Sequence, residues 1–220
     1  MDCGGFMILL TLQSFISEWG RIIAFVAVAL VFALSYIFIK KYREEVAPKK
    51  QLEKDNRDKS IKVIQKALNK YIRRNDGRVI YMTEVGGKKT KGSADAVLIG
   101  YFGVLVLIGC GLSGSLYANE KDKYLTQIIK GEKRIHENPV LKAQAAAKAV
   151  IELLKEKKIY KVPVDSGVVF SARKVEANVP RSLNGFTAKE FSKALHSKRF
   201  LEDKGVNTDA VAEIILGLSK

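Results

Sequence analysis

Few side chains in this sequence have both the type and the spacing to do chemistry. Cys3 and Cys110 fall in segments read below as lying on opposite sides of a membrane, so they make neither a disulfide framework nor a zinc cluster. His136 and His196 are far apart in the chain and lack partners at metal-ligand spacing, which reads as two surface histidines. Gly86-Gly-Lys-Lys-Thr90 and Gly185-Phe-Thr superficially resemble phosphate loops. The first has no leading glycine at the right spacing and no strand-to-helix context to aim backbone N–H groups at a phosphate. No nucleophile triad is legible. What remains is cationic: Arg73, Arg74, Lys88, Lys89 and Lys91 are candidates to neutralise phosphates, the alternative being a solvated basic face. No aromatic residue interleaves with these lysines, so base stacking is not signalled.

Charge and hydropathy set the frame for those residues. The chain has 220 residues and a formal net charge of +15, of which residues 1–39 contribute −1 through Asp2, Glu18 and Arg21, leaving +16 on the rest. A region that basic favours polyanions, either nucleic acid or an anionic membrane surface. Residues 22–39 carry no charge, and Ser35 and Tyr36 are the only polar side chains there. As a helix the run spans about 27 Å, close to the hydrocarbon thickness of a bilayer. Trp19 and Tyr42 flank it, as amphipathic rings do at interfaces. Lys40, Lys41, Arg43, Lys49 and Lys50 follow it while Arg21 stands alone before it, which predicts a cytoplasmic C-terminal part. The rival readings are a cleaved signal peptide, which Asp2 and the Lys-Lys-Tyr-Arg-Glu-Glu sequel do not fit, and a buried core helix. Residues 4–16 are also apolar and either lie in the outer interface or extend the membrane helix backward.

The elements that must position the remaining residues follow in order. Residues 44–59 are charged, hold Pro48, and read as a linker able to become helical. Ile61, Ile64, Ala67, Leu68 and Tyr71 recur at helical spacing. Residues 77–85 read as a strand, and 86–92 as a basic loop. Residues 96–99 and 104–108 read as two strands joined by the tight turn Gly100-Tyr-Phe-Gly103. A second membrane helix over 94–112 is the rival, weakened by Asp95, four glycines and β-branched content. Residues 113–135 look like further strand and loop. Asn138-Pro139 opens a helix with an apolar stripe through Leu154. Residues 162–171 read as a buried strand, Thr187-Ala-Lys-Glu190 as a capping box, and Asn207 or Thr208 as the cap of a last helix over 209–218. That order predicts an α/β or α+β domain.

The run Ser93-Ala-Asp-Ala-Val-Leu-Ile-Gly-Tyr-Phe-Gly-Val-Leu-Val106, with Gly114-Ser-Leu-Tyr117, Glu137-Asn-Pro-Val-Leu-Lys-Ala-Gln144 and Val168-Val-Phe-Ser171, resembles the NERD (nuclease-related) domain over about residues 57–200. The resemblance implies a PD-(D/E)XK-like fold, a mixed central sheet flanked by helices. It also implies a site built from an Asp, a Glu-x-Lys on the next strand, and often a Glu from the first helix. In such a site two carboxylates hold a divalent cation that activates water, and the Lys stabilises developing charge. Asp95 matches the family's Asp. The Glu and Lys positions fall on Ile108 and Cys110, with Gly109 between them, and the first-helix position near Ser60 or Ile61 is not acidic. One carboxylate cannot hold a hard cation firmly, so Asp95 reads as a relic, a strand-end cap or a surface group. Glu120-Lys-Asp-Lys123 and Glu132-Lys-Arg134 read as loop, and Glu152 and Glu156 as later helix.

The expected organisation is an extracytoplasmic segment over 1–20, a transmembrane helix over 21–40, a charged linker over 41–59 and a NERD-like cytoplasmic domain over 60–220. The expected function is nucleic-acid binding at the cell membrane without cleavage, with no metal and no cofactor. The alternative is a membrane-tethered scaffold that binds a protein partner and whose basic face contacts anionic lipid head groups. An active metal-dependent nuclease ranks third.

Overall fold

The computed structural model describes residues 28–41, 47–81, 84–87, 90–119, 122–180 and 183–217. The chain divides into two units, 1–52 and 53–220. In the first, residues 28–41 form a helix, α1, whose side chains are all exposed, among them Val31, Phe32, Leu34, Ile37 and Phe38. Among the described residues no helix is long and apolar enough to cross a membrane; residues 21–27 of the expected span and the whole expected extracytoplasmic segment over 1–20 lie outside them.

The second unit begins within α2 (Ala47–Ile72). The expected linker over 44–59 is therefore helical from residue 47 onward, while 42–46 lie outside the described residues. Pro48 is compatible because it falls in the first turn, where its missing N–H has no helical partner in any case. Inside the second unit α2 buries Ser60, Ile64, Leu68 and Tyr71, spaced by four, four and three, on one face.

That face packs on a five-stranded sheet of β1 (Gly77–Ile80), β4 (Ala96–Gly100), β5 (Gly103–Cys110), β9 (Val164–Phe170) and β11 (Gly185–Thr187), ordered β1-β4-β5-β9-β11. β4 and β5 form the expected hairpin, with Gly100 opposite Gly103 and the positive φ of 126° at Gly103 available to glycine. The 94–112 run is thus mostly two strands, 96–100 and 103–110, buried on both faces, which explains why it is so apolar. β9 runs parallel to β5, and the crossover between them carries α3 (Pro139–Glu156).

The sheet separates two apolar layers. On one side Ala96, Leu98, Leu105, Leu107 and Val169 pack with α2, α4 (Ala188–Ala194) and Phe200 of α5 (Lys198–Leu201). On the other, Val97, Ile99, Val104 and Val106 pack with α3 and α6 (Thr208–Leu216). The expected strand over 77–85 ends at Ile80. Beyond it β2 (Val85–Gly86) and β3 (Lys91–Gly92) make a short hairpin laid on α3. A Cβ on Gly92 would stand 2.5 Å from the Ala146 Cα, so the approach requires glycine there.

A second sheet of β10 (Val175–Asn178), β6 (Gly114–Tyr117), β7 (Tyr124–Ile129) and β8 (Glu132–Glu137), in that order, follows the end of β5. Its inner face contributes Leu116 and Leu125 to a third cluster with Ile108, Cys110, Phe170, Val140 and Ala143. Asn138 locks the start of α3 to this sheet. Its Oδ1 accepts from the Val140 N–H at 3.0 Å, and its Nδ2 donates to the Asn119 and Asp122 carbonyls at 3.2 and 2.7 Å. The architecture is the expected mixed α/β class, with the strands divided between two principal sheets.

Candidate functional site at the β4–β5 strand ends

Asp95 precedes β4 and is buried, its side chain 3% exposed. Its backbone N–H donates to the Leu107 carbonyl at 2.9 Å, which continues the β4–β5 ladder by one rung and sets the carboxylate beside the end of β5. Both carboxylate oxygens are engaged. Oδ1 accepts from Arg57 Nη2 at 2.8 Å and Nε at 3.2 Å, and Oδ2 accepts from the Gly109 N–H at 2.8 Å. A guanidinium and a backbone N–H thus supply hydrogen-bond partners to a carboxylate that is withdrawn from water.

Gly109 lets α2 come this close. A Cβ there would meet the Ser60 Cβ at 2.7 Å and lie 3.5 Å from Asp95 Oδ2. Gly111 is equally confined, 2.5 Å from the Asn56 carbonyl oxygen by the same measure. Ser60 contributes a hydroxyl pair: its Oγ donates to the Asn56 carbonyl at 2.8 Å or to Ser171 Oγ at 2.7 Å, while the Ser171 N–H donates to the Cys110 carbonyl at 2.9 Å. The space around Asp95 is thus filled by the helix, two glycines and hydroxyls bonded to one another.

Ile108 and Cys110 alternate to the opposite face from Gly109 and join the apolar cluster of Leu116, Leu125, Val140 and Phe170. Burial pushes the Cys110 thiol up to about 11, a bond from the Leu112 backbone opposing only part of that, so it is a neutral thiol at ordinary pH. Ser60, one of the two positions where an acidic first-helix residue was sought, is buried in the hydroxyl pair; Arg57, one turn earlier, is what reaches Asp95. The sequence does not single that residue out, because the family's pattern puts an acid and not a base on this helix. Its signal, a lone Arg three residues ahead of a buried helix face, is too common to stand out in one sequence.

A divalent cation does not fit these residues. A hard cation needs several oxygen ligands, and here one carboxylate has both oxygens committed to Arg57 and Gly109. Among the described residues no three His, Cys, Asp or Glu side chains cluster to hold a metal, and no buried side-chain polar atom lacks a partner. Glu132-Lys-Arg134, expected as loop, is instead part of β8, an exposed strand at the edge of the second sheet with Glu132 paired to Arg134 at 2.8 Å.

The cationic candidates separate. Arg73 and Arg74 follow α2 at the end of the sheet that carries the β4–β5 turn, whereas Lys91 lies in β3 against α3 on the other face. Lys88 and Lys89 lie outside the described residues. The 86–90 segment connects two short antiparallel strands, which is not the strand-to-helix setting of a phosphate loop. His136 bonds Gln127 Oε1 at 2.9 Å and His196 bonds the Ser192 carbonyl at 2.8 Å.

No curated protein and no solved structure matches this chain. The family model for the nuclease-related domain, NERD, matches residues 58–171, which takes in most of α2, Asp95, the whole β4–β5 hairpin, α3 and β9. The match covers more than half of the chain, and the chain belongs to the NERD, nuclease-related domain, family.

Proposed function

We propose that this chain is a membrane-anchored NERD-domain protein that binds nucleic acid and does not cleave it. The observation that carries the absence of cleavage is the closed arrangement at Asp95. Its carboxylate is bound by Arg57 and Gly109, and the two positions that would complete a metal site are Ile108 and Cys110 inside an apolar cluster. Nucleic acid is the polyanion suited to a basic protein of this family. Membrane anchoring is supported by the charge-free run over 22–39 and by the described part of it, where a helix apolar on all sides exposes every residue. The orientation, N-terminus outside and domain in the cytoplasm, follows from the basic residues after the run.

Purified full-length protein given magnesium or manganese is expected to leave plasmid DNA and single-stranded RNA intact above background. Metal-dependent cleavage that Asp95→Ala abolishes would overturn the reading and make the chain a nuclease. For topology, a cysteine introduced at Lys88 in a Cys3→Ser background is expected to resist an impermeant thiol reagent on intact cells; labelling from outside would reverse the orientation.

A second reading, a membrane-tethered scaffold, draws on one observation. The outer face of the second sheet exposes Tyr117, Tyr124, Ile128 and Ile135, an apolar surface suited to a protein partner. Binding to duplex DNA that weakens with salt separates the first reading from this one.

A further inference from the structure

We propose that the outward stripe of α2 is the surface that grips nucleic acid, and that it does so along the phosphate backbone of a duplex. The inference rests on the nucleic-acid reading above and names its surface.

Lys59, Lys62, Lys66, Lys70 and Arg73 are spaced by three, four, four and three residues, so they share one face of α2 and its last turn. That face lies opposite the buried one of Ser60, Ile64, Leu68 and Tyr71, and all five cations are exposed. Among the described residues none of the five takes part in an ion pair, whereas Arg57, Arg78, Arg134, Lys142 and Arg199 each pair with a carboxylate. Those five charges are therefore open to an external partner, with Asp55 and Asp58 the acids that stand four residues before Lys59 and Lys62.

Its shape selects the partner. From residue 59 to 73 the helix advances about 21 Å. A duplex strand carries one phosphate per roughly 3.4 Å of axis, so about six phosphates lie alongside, a charge density that five cations nearly match. No aromatic side chain stands in the stripe, so unpaired bases find no stacking platform and a duplex is preferred to a single strand. Among the described residues α2 exposes no large apolar side chain, whereas a helix that settles into a bilayer surface buries an apolar flank there. Four of the five are lysines, point charges without the planar fork that reads bases or binds phosphate bidentately, so the grip is independent of sequence.

The test uses the full chain in nanodiscs of zwitterionic lipid, a mixed-sequence 20-bp duplex and fluorescence anisotropy between about 50 and 200 mM salt. The expected slope of log Kobs against log salt is about −4 to −5, and Lys62→Gln/Lys66→Gln/Lys70→Gln is expected to reduce its magnitude by about 2.7. The same triple is expected to weaken binding at least about tenfold at low salt with an unchanged thermal melt. Lys62→Arg/Lys66→Arg/Lys70→Arg is expected to retain binding, and Lys155→Gln/Lys157→Gln/Lys158→Gln, at the end of α3, to leave it unaltered. Three results would overturn the inference. If Lys88→Gln/Lys89→Gln/Lys91→Gln loses the duplex while the α2 triple keeps it, the surface is elsewhere and the nucleic-acid reading stands. If the natural protein binds no duplex even at the lowest salt, both fail. If it binds phosphatidylserine vesicles in place of duplex, and the α2 triple loses that binding, the stripe serves lipid.

Discussion

Asp95 is a carboxylate with almost no contact with water, and Arg57 is what makes that tolerable. The guanidinium is half exposed, so the pair is worth less than a fully buried one. Arg57→Met is expected to destabilise the domain by about 1–3 kcal/mol in urea unfolding. Combined with Asp95→Asn it is expected to cost less than the sum of the two, because the orphaned charge is gone. Strict additivity would mean that the two side chains do not support one another. Cys110 supplies a second prediction at this scale. Its thiol ionises at about 11 in the fold against 9.0 as a free group. Above the lower value the unfolded chain gives up its proton while the folded one keeps it. The thiol's contribution is therefore complete below pH 9 and lost as pH rises toward 11. Tyr71, raised by burial as well, extends the loss to higher pH. Cys110→Ala is expected to flatten the unfolding free energy over that window; an identical alkaline limb in both proteins would count against this origin.

Among the elements, the helix ends were the most legible part of the sequence. Asn138-Pro139 and Thr187-Ala-Lys-Glu190 announce α3 and α4, and both caps are made. They are not equal in weight. The Thr187 box is exposed, and Thr187→Ala is expected to cost about 1 kcal/mol. Asn138 is buried and also ties down the Asn119 and Asp122 carbonyls, so Asn138→Ala is expected to cost roughly twice as much or more. Equal losses in thermal denaturation would mean that the cap alone matters. The start of α2 was the least legible. Its polar stretch lacks the apolar spacing that marks a buried face, yet Lys, Glu and Gln are good helix formers and Asp55/Lys59 and Asp58/Lys62 stand at favourable spacing. Read for hydrophobic period alone, such a stretch passes for a linker. The basic stripe went unnoticed for the same reason, since its period becomes visible only once the helix is known to be continuous.

For the whole molecule, three apolar clusters on two sheets give residues 53–220 a core of their own. A fragment of residues 47–220 is therefore expected to fold without the N-terminal run, with a cooperative urea transition. Within it Leu98→Ala, at the centre of one cluster, is expected to cost about 2–5 kcal/mol. An insoluble or non-cooperative fragment would show that the core needs the preceding segment. The sequence carried the α/β class and the β4–β5 hairpin, because strands buried on both faces read as unbroken apolar runs. It did not carry the division into two sheets. β10 pairs with β6 and β11 with β9 across long stretches of chain, and no local signal encodes such partners. The site was legible as an absence, Ile108 and Cys110 where a Glu and a Lys would stand. The positive charge that meets Asp95 in their place is visible only in the folded structure.

The Arg57–Asp95 clasp also bears on the history open to this protein. Suppose, on the proposed reading, that selection came to favour cleavage. Ile108→Glu alone would place a carboxylate among Leu116, Val140 and Phe170 with nothing to receive it. Cys110→Lys alone would do the same with an ammonium. Loss of Arg57 alone would strand Asp95. Each first step lowers stability and none brings activity, so a lineage could recover the reaction only by acquiring several changes together. On the proposed reading the clasp behaves as a ratchet: once closed, it holds descendants of this sequence to a role that does not depend on cutting.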